Sequence, residues 1–281
     1  MGPQASIGAR NAAYQRELST LLAWLGDAHN AQGQLDAAID VRERQIAFLR
    51  QIIASGSSDV NFREHLIPAQ QALGILFVME GKVDRGIEQL RNAIADSEQL
   101  LPIEPDNAVW KGLAAQARLE LAATLLSVKR IDDAAIQAQV GCGQAASVRS
   151  RDPGAAWQSL QTTCLSVRSR LALSANDLEV ARSLSMQALE SARAERSADP
   201  IKDRYTTAAA YRMVGEILHR SGNVLRARQA WETGLAQLPR NTSERPKEMF
   251  EHALLLHDLG DFAEARALTA QLRNQGFKRK N

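Results

Sequence analysis

The stretch from Val214 to Pro239 reads V-G-E-I-L-H-R-S-G-N-V-L-R-A-R-Q-A-W-E-T-G-L-A-Q-L-P. It has the parts of a helical hairpin: a small residue at Gly215, a turn glycine at Gly222, an apolar anchor at Val224 and a second small residue at Ala227. Glycine adopts the left-handed conformation that ends a helix, and two helices approach closely only where neither carries bulk. The stretch therefore predicts two antiparallel helices crossing at Gly215 and Ala227.

Outward from it, the same signature recurs five more times. The first small position falls at Gly26, Gly74, Ala122, Ser169, Gly215 and Ala253, in steps of 48, 48, 47, 46 and 38 residues. Twelve residues after each comes the second: Ala38, Gly86, Ala134, Ala181, Ala227 and Ala265. The turn positions are Gly33, Gly81, Lys129, Asn176, Gly222 and Gly260. Lys129 is the exception among Gly and Asn, and predicts a strained or differently built turn. Two residues on, Leu35, Val83, Ile131, Leu178, Val224 and Phe262 should open each second helix and pack back on the first. A near-fixed period decides the architecture before any local reading, because each unit hides its apolar stripe only against a neighbour.

On these residues the chain resembles the tetratricopeptide repeat family, whose pattern is W-x2-L-G-x2-Y, then Ala, Phe and Pro. The fifth copy matches best, through Tyr211, Val214, Gly215, Leu218, Ala227, Trp231 and Pro239; Leu22, Leu25, Gly26, His29 and Ala38 serve the first, and Leu73, Gly74, Phe77 and Gly86 the second. The resemblance implies an all-α, right-handed α-solenoid of six antiparallel hairpins without a β-sheet. A unit of about 48 residues rather than 34 adds roughly two turns to each helix and keeps the buried face in phase. Tyr14, Phe62, Trp110 and Trp157 each lie twelve residues before the first small position, with Tyr205 two residues out of register, and most follow Asp, Asn or Pro as helix starts do. This long form is similar to arrays that follow serine/threonine kinase or TIR domains in bacterial signalling proteins.

The hairpins are expected at about 11–55, 59–101, 106–150, 155–197, 201–238 and 244–275, forming one array over 11–276. Residues 1–10 read as a disordered or vector-derived leader, and 277–281 as a frayed basic tail. Tyr14, Leu18, Leu21, Leu22 and Leu25 form an apolar stripe. Trp24, off that stripe, is read as core, the alternative being an open edge where an earlier repeat would stack. Pro68 should kink its helix. Gly141 and Gly143 predict either very close packing on the fourth hairpin or the softest joint of the array. Phe262, Ala265, Leu268 and Leu272 should face inward, with Glu264, Arg266, Gln271 and Arg273 outward.

A formal net charge of +2 argues against a dedicated nucleic-acid binder. The longest unbroken apolar run, Ile75 to Met79, is too short to cross a bilayer. The location stays open between the cytoplasm, slightly favoured, and the periplasm if an upstream anchor was removed. Phosphate loops, metal-ligand spacings and nucleophile elbows are not found, so neither enzyme activity nor a cofactor or metal is expected. His252 and His257, five apart, point to different faces of a helix and read as surface residues. Cys142 and Cys164 should lie at the same height on neighbouring helices. They read as two small buried residues in contact, a disulfide being the alternative.

What remains is a concave groove lined by the first helices. Its expected residues are Gln71, Ile75, Val78, Met79, Leu119, Leu126, Arg170, Leu173, Arg212, Glu216, His219 and Arg220, apolar in the middle and basic toward the C-terminus. Such a groove suits an amphipathic or acidic peptide, unless the apolar members merely pack between neighbouring first helices. The family's carboxylate clamp is not supplied by Ala23, Asp27, Gln71 and Ile75. The expectation is a non-catalytic protein-binding scaffold or sensor of a larger signalling protein. Its rivals are a self-association module using Trp24 and a regulatory region of an upstream enzyme domain.

Overall fold

The computed structural model describes residues 3–151, 159–197, 199–238 and 244–278. Twelve helices, and no strand, occur among them. They pair as α1 (Pro3–Ala31) with α2 (Leu35–Ala54), α3 (Val60–Glu80) with α4 (Val83–Leu100), and α5 (Ala108–Ser127) with α6 (Ile131–Arg151). The later pairs are α7 (Ser159–Ser174) with α8 (Leu178–Ala194), α9 (Pro200–Arg220) with α10 (Val224–Leu235), and α11 (Pro246–Leu259) with α12 (Phe262–Asn274). Each second helix begins at the anchor residue read from the sequence. Each hairpin packs on the next through its second helix, so the whole is a stacked α-solenoid.

The starts follow from capping chemistry. Asp59, Asn107, Asp177 and Asp199 each accept a hydrogen bond from a backbone N–H of the helix that follows, satisfying donors that a first turn leaves unpaired. The starts Tyr14, Phe62, Trp110 and Tyr205 diverge in burial: the last three are buried and Tyr14 is exposed. Trp157 lies outside the described residues.

All twelve small positions are buried, and they lie at close approaches. A methyl on Gly74 would come within 3.0 Å of the Gly86 carbonyl oxygen, and one on Gly86 within 2.8 Å of that of Gly74. The Ser169 hydroxyl donates to the Ala181 carbonyl at 2.8 Å. At Gly215 the indole of Trp231 takes the space a side chain would need, and its N–H donates to the Arg212 carbonyl at 3.1 Å.

The third turn is not built differently. Lys129 has φ 60°, and the Arg130 N–H donates to the Leu125 carbonyl at 2.9 Å, just as Lys82 donates to Phe77 at 2.8 Å across Gly81. The same wrap of hydrogen bonds is made at all six turns; at this one, as at Asn176 with φ 58°, a residue with a side chain is held in the left-handed region. That conformation costs an L-residue about 1–2 kcal/mol, part of which glycine returns through its freer unfolded state. Lys129→Gly should therefore stabilise the chain by about 0.5–1 kcal/mol, read as a higher urea midpoint; an unchanged or lower midpoint would show that the turn carries no such strain.

Several other expectations change. Helix α1 begins at Pro3, inside the stretch read as a leader. Trp24 is not core: no described element stands on its side of α1, leaving Tyr14 65%, Leu21 56%, Trp24 66% and Leu25 47% exposed. Val224 and Phe262 open their helices but remain exposed. Gly141 packs against Ala115, Arg118 and Leu119 of its own hairpin rather than on the fourth, and nothing lies near the face of Gly143. Pro68 sits within α3, which continues through it. Phe277 is not frayed: it is 5% exposed within the core that includes Leu35, Ile39, Met79 and Leu272.

Cys142 and Cys164 are joined by a disulfide between α6 and α7, with Cα atoms 5.4 Å apart. The link closes a loop across a sequence separation of 22 residues, so removing it should cost about 3 kcal/mol through the freer unfolded chain. A Cys142→Ser, Cys164→Ser chain should melt well below the oxidised wild type. Two free thiols in the unreduced, denatured wild type would contradict the pairing.

Candidate functional site

The first helices of neighbouring hairpins touch along much of the array: α3 contacts α1 and α5, α5 contacts α7, and α9 contacts α11. This contact explains why the groove differs from the one read in the sequence. Gln71, Val78, Met79, Leu119 and Leu173 are buried; they fill the seams between helices and do not face solvent. Gln71 donates to the Leu113 carbonyl on α5 at 2.8 Å, which ties two first helices together. Ile75, Leu126, Arg212 and Glu216 are partly buried, while Arg170, His219 and Arg220 are exposed.

The basic end of this face is largely compensated from within. Arg212 pairs with Glu251 at 3.2 Å and lies 3.9 Å from Asp258. Burial alone would weaken its charge, but the carboxylates of Glu251, Asp258 and Glu216 outweigh that and raise its pKa. Glu216 pairs with Arg220 at 3.5 Å. His219 lies 5.8 Å from the Trp231 ring. Arg170 and Arg220 are the more exposed cations of this face, whereas Arg212 is partly buried.

A buried polar joint between α9 and α11 was not legible in the sequence. The Tyr205 hydroxyl donates to Glu244, and His252 Nδ1 lies 3.0 Å from the same carboxylate oxygen. Burial, reinforced by the Glu244 charge, raises the Tyr205 pKa. Burial also opposes the charge of Glu244, yet the hydrogen bonds from His252 and Tyr205 prevail and lower its pKa. Arg245 reaches back to Asp199 at 2.8 Å, so the start of α11 is clamped to the start of α9. The partners are 39 and 46 residues apart in sequence, and no local pattern announces them. His252 is thus a structural ligand of Glu244, while His257 is exposed and set edge-on to Phe262 at 5.3 Å.

A shallow cleft of about 330 Å³ lies between α11 and α12, lined by Phe250, Leu254, His257, Phe262, Arg266 and neighbours. It is apolar, and among the described residues no group of three or more metal-ligating side chains adjoins it or any other part of the chain. No helix of the described residues is long and apolar enough to cross a membrane.

No protein-family model matches the chain, and no curated relative matches it. Solved structures do. A Rap conjugation gene regulator of plasmid pLS20, in complex with a Phr peptide, superposes with a TM-score of 0.64 at 14% identity, covering 95% of this chain and 66% of that one. The fold is that of the tetratricopeptide repeat. RapI in its apo form gives 0.58 at 11% identity over 92% of this chain and 84% of its own. BtubC from P. vanneervenii gives 0.52 at 17% identity over 86% and 90%. At such identities the likeness speaks for the tetratricopeptide-like architecture, and the groove residues must be argued from this chain.

Proposed function

We propose that the chain is a non-catalytic, protein- or peptide-binding scaffold, serving as the sensor region of a larger bacterial signalling protein. The observation that carries this reading is the first-helix face itself: exposed Arg170 on α7 and His219 and Arg220 on α9, with partly buried Ile75 on α3 and Leu126 on α5, on a frame whose deeper residues are already committed to packing. A rigid surface with a few outward cations and apolar patches recognises an amphipathic or acidic segment. The likeness to a regulator solved with a peptide supports the same reading.

The test is quantitative capture from a cell lysate with the wild-type chain and with an Arg170→Glu, Arg220→Glu variant. Partners should be lost from the variant while its helicity and melting are kept. Undiminished capture by the folded variant would contradict the proposed face.

A second reading, self-association, is favoured by the exposed stripe on α1. Tyr14, Leu18, Leu21 and Leu25 recur at the alternating four- and three-residue spacing of a helix-to-helix seam, with Trp24 beside them. Sedimentation equilibrium decides it: a dimer abolished by Leu21→Glu would support this reading, and a monomer at every concentration reached would end it.

A further inference from the structure

Beyond that face, the end of the chain returns to its beginning. After α12 the backbone passes through Gly276, at φ 89°, and runs across the turns of the first two hairpins. The Gln275 side chain lies against Gly33 and the Lys278 backbone against Gly81, so both turn glycines leave room for it. Between them Phe277 is buried in the cluster that holds Leu35, Met79 and Met249, its ring 5.1 Å from that of Phe250. The Lys278 N–H donates to the Met79 carbonyl at 2.8 Å. That carbonyl belongs to the last turn of α3, where a helix has acceptors to spare and a partial negative charge.

The charge of this corner suits a cation. Glu80 is 9% exposed. One of its carboxylate oxygens meets the Lys82 ammonium at 2.6 Å, while the other, Oε2, is buried with no hydrogen-bond partner among the described residues. A buried carboxylate oxygen left unpaired is costly. The sequence after Phe277 is Lys-Arg-Lys. An aromatic anchor and a main-chain donor thus occupy an apolar pocket and a helix-end carbonyl, beside the buried, unpaired Glu80 oxygen.

We infer that this corner, formed by the α1–α2 and α3–α4 turns with the start of α11, is a peptide-docking site occupied by the chain's own Gln275–Lys278 segment. Its external partner is an extended basic segment anchored by one aromatic side chain. This deepens the scaffold reading and rests on it. The segment meets the corner through the Phe277 ring, the Lys278 main-chain bond and the Gln275 side chain, so a segment of the same chemistry competes for the corner. Closing of the array and binding of that partner exclude one another, because the tail lowers the fraction of sites open to the partner.

The test uses the full chain carrying Phe277→Ala and a fluorescein-labelled peptide with the sequence of residues 273–281. The peptide should bind the variant saturably and roughly tenfold or more tightly than it binds the wild type, whose corner is filled. A peptide with alanine in place of its phenylalanine should not bind, and adding Glu80→Gln to the variant should weaken capture of the original peptide. Three results would overturn the proposal: no saturable binding to the folded variant, equal binding to wild type and variant, or a variant that no longer folds, since Phe277 would then be fixed core rather than a displaceable anchor. Failure of the scaffold reading would show separately, as undiminished partner capture by the Arg170→Glu, Arg220→Glu chain.

Discussion

Replacing Gly86 with leucine is expected to destabilise the chain by about 3 kcal/mol or more. Even a methyl at this position would lie 2.8 Å from the Gly74 carbonyl oxygen and 2.6 Å from Val78 Cγ2. The carbonyl is part of α3 and cannot step aside, so α3 and α4 must separate and uncover Leu73, Phe77 and Leu90, all now buried. A hairpin in a stack owes its stability to its neighbours, so the damage should spread to α2 and α5, which pack on either side. Urea denaturation followed by circular dichroism measures the loss. A variant as stable as the wild type would mean that the crossing is not where the small residues place it.

The second large effect is expected at Trp110. Its ring is 2% exposed, among Ile67, Leu90, Leu100 and Leu113, and its indole N–H donates to Glu64 at 2.8 Å. It therefore seals the second hairpin to the third. Truncation to alanine should cost about 3–5 kcal/mol from lost burial and the cavity left behind. Trp110→Phe keeps most of the volume but orphans Glu64, and should cost about 1–3 kcal/mol. Thermal melts of the two variants read the difference; equal melting temperatures for both and the wild type would contradict the role.

The parts of the fold that were legible in the sequence share one property: they repeat at fixed spacing. Gly74 and Gly86, or Ser169 and Ala181, are twelve residues apart because a hairpin of this length must bring those levels together. Even the Lys129 turn obeyed the spacing rather than its own chemistry. What was not legible depends on contacts with no period. Met79 was read as groove lining because it lies near the small position Gly74, but it is buried in a core that also holds Phe277, 198 residues further along the chain. Trp24 was read as core because aromatic residues usually are, yet burial needs a neighbour, and none stands on its side of α1 among the described residues. Arg212 was read as part of a basic groove end, but its partners Glu251 and Asp258 belong to another hairpin. Which residues of the first helices face solvent depended on how neighbouring first helices close on one another.

The central claim, that paired helices cross at their small residues and stack into one array, is tested most directly by nuclear Overhauser contacts between the α-protons of Gly74 and Gly86 in a glycine-labelled, otherwise deuterated sample. The account predicts a strong cross-peak between these residues, on different helices and twelve positions apart. A folded, helical protein without that cross-peak would contradict it.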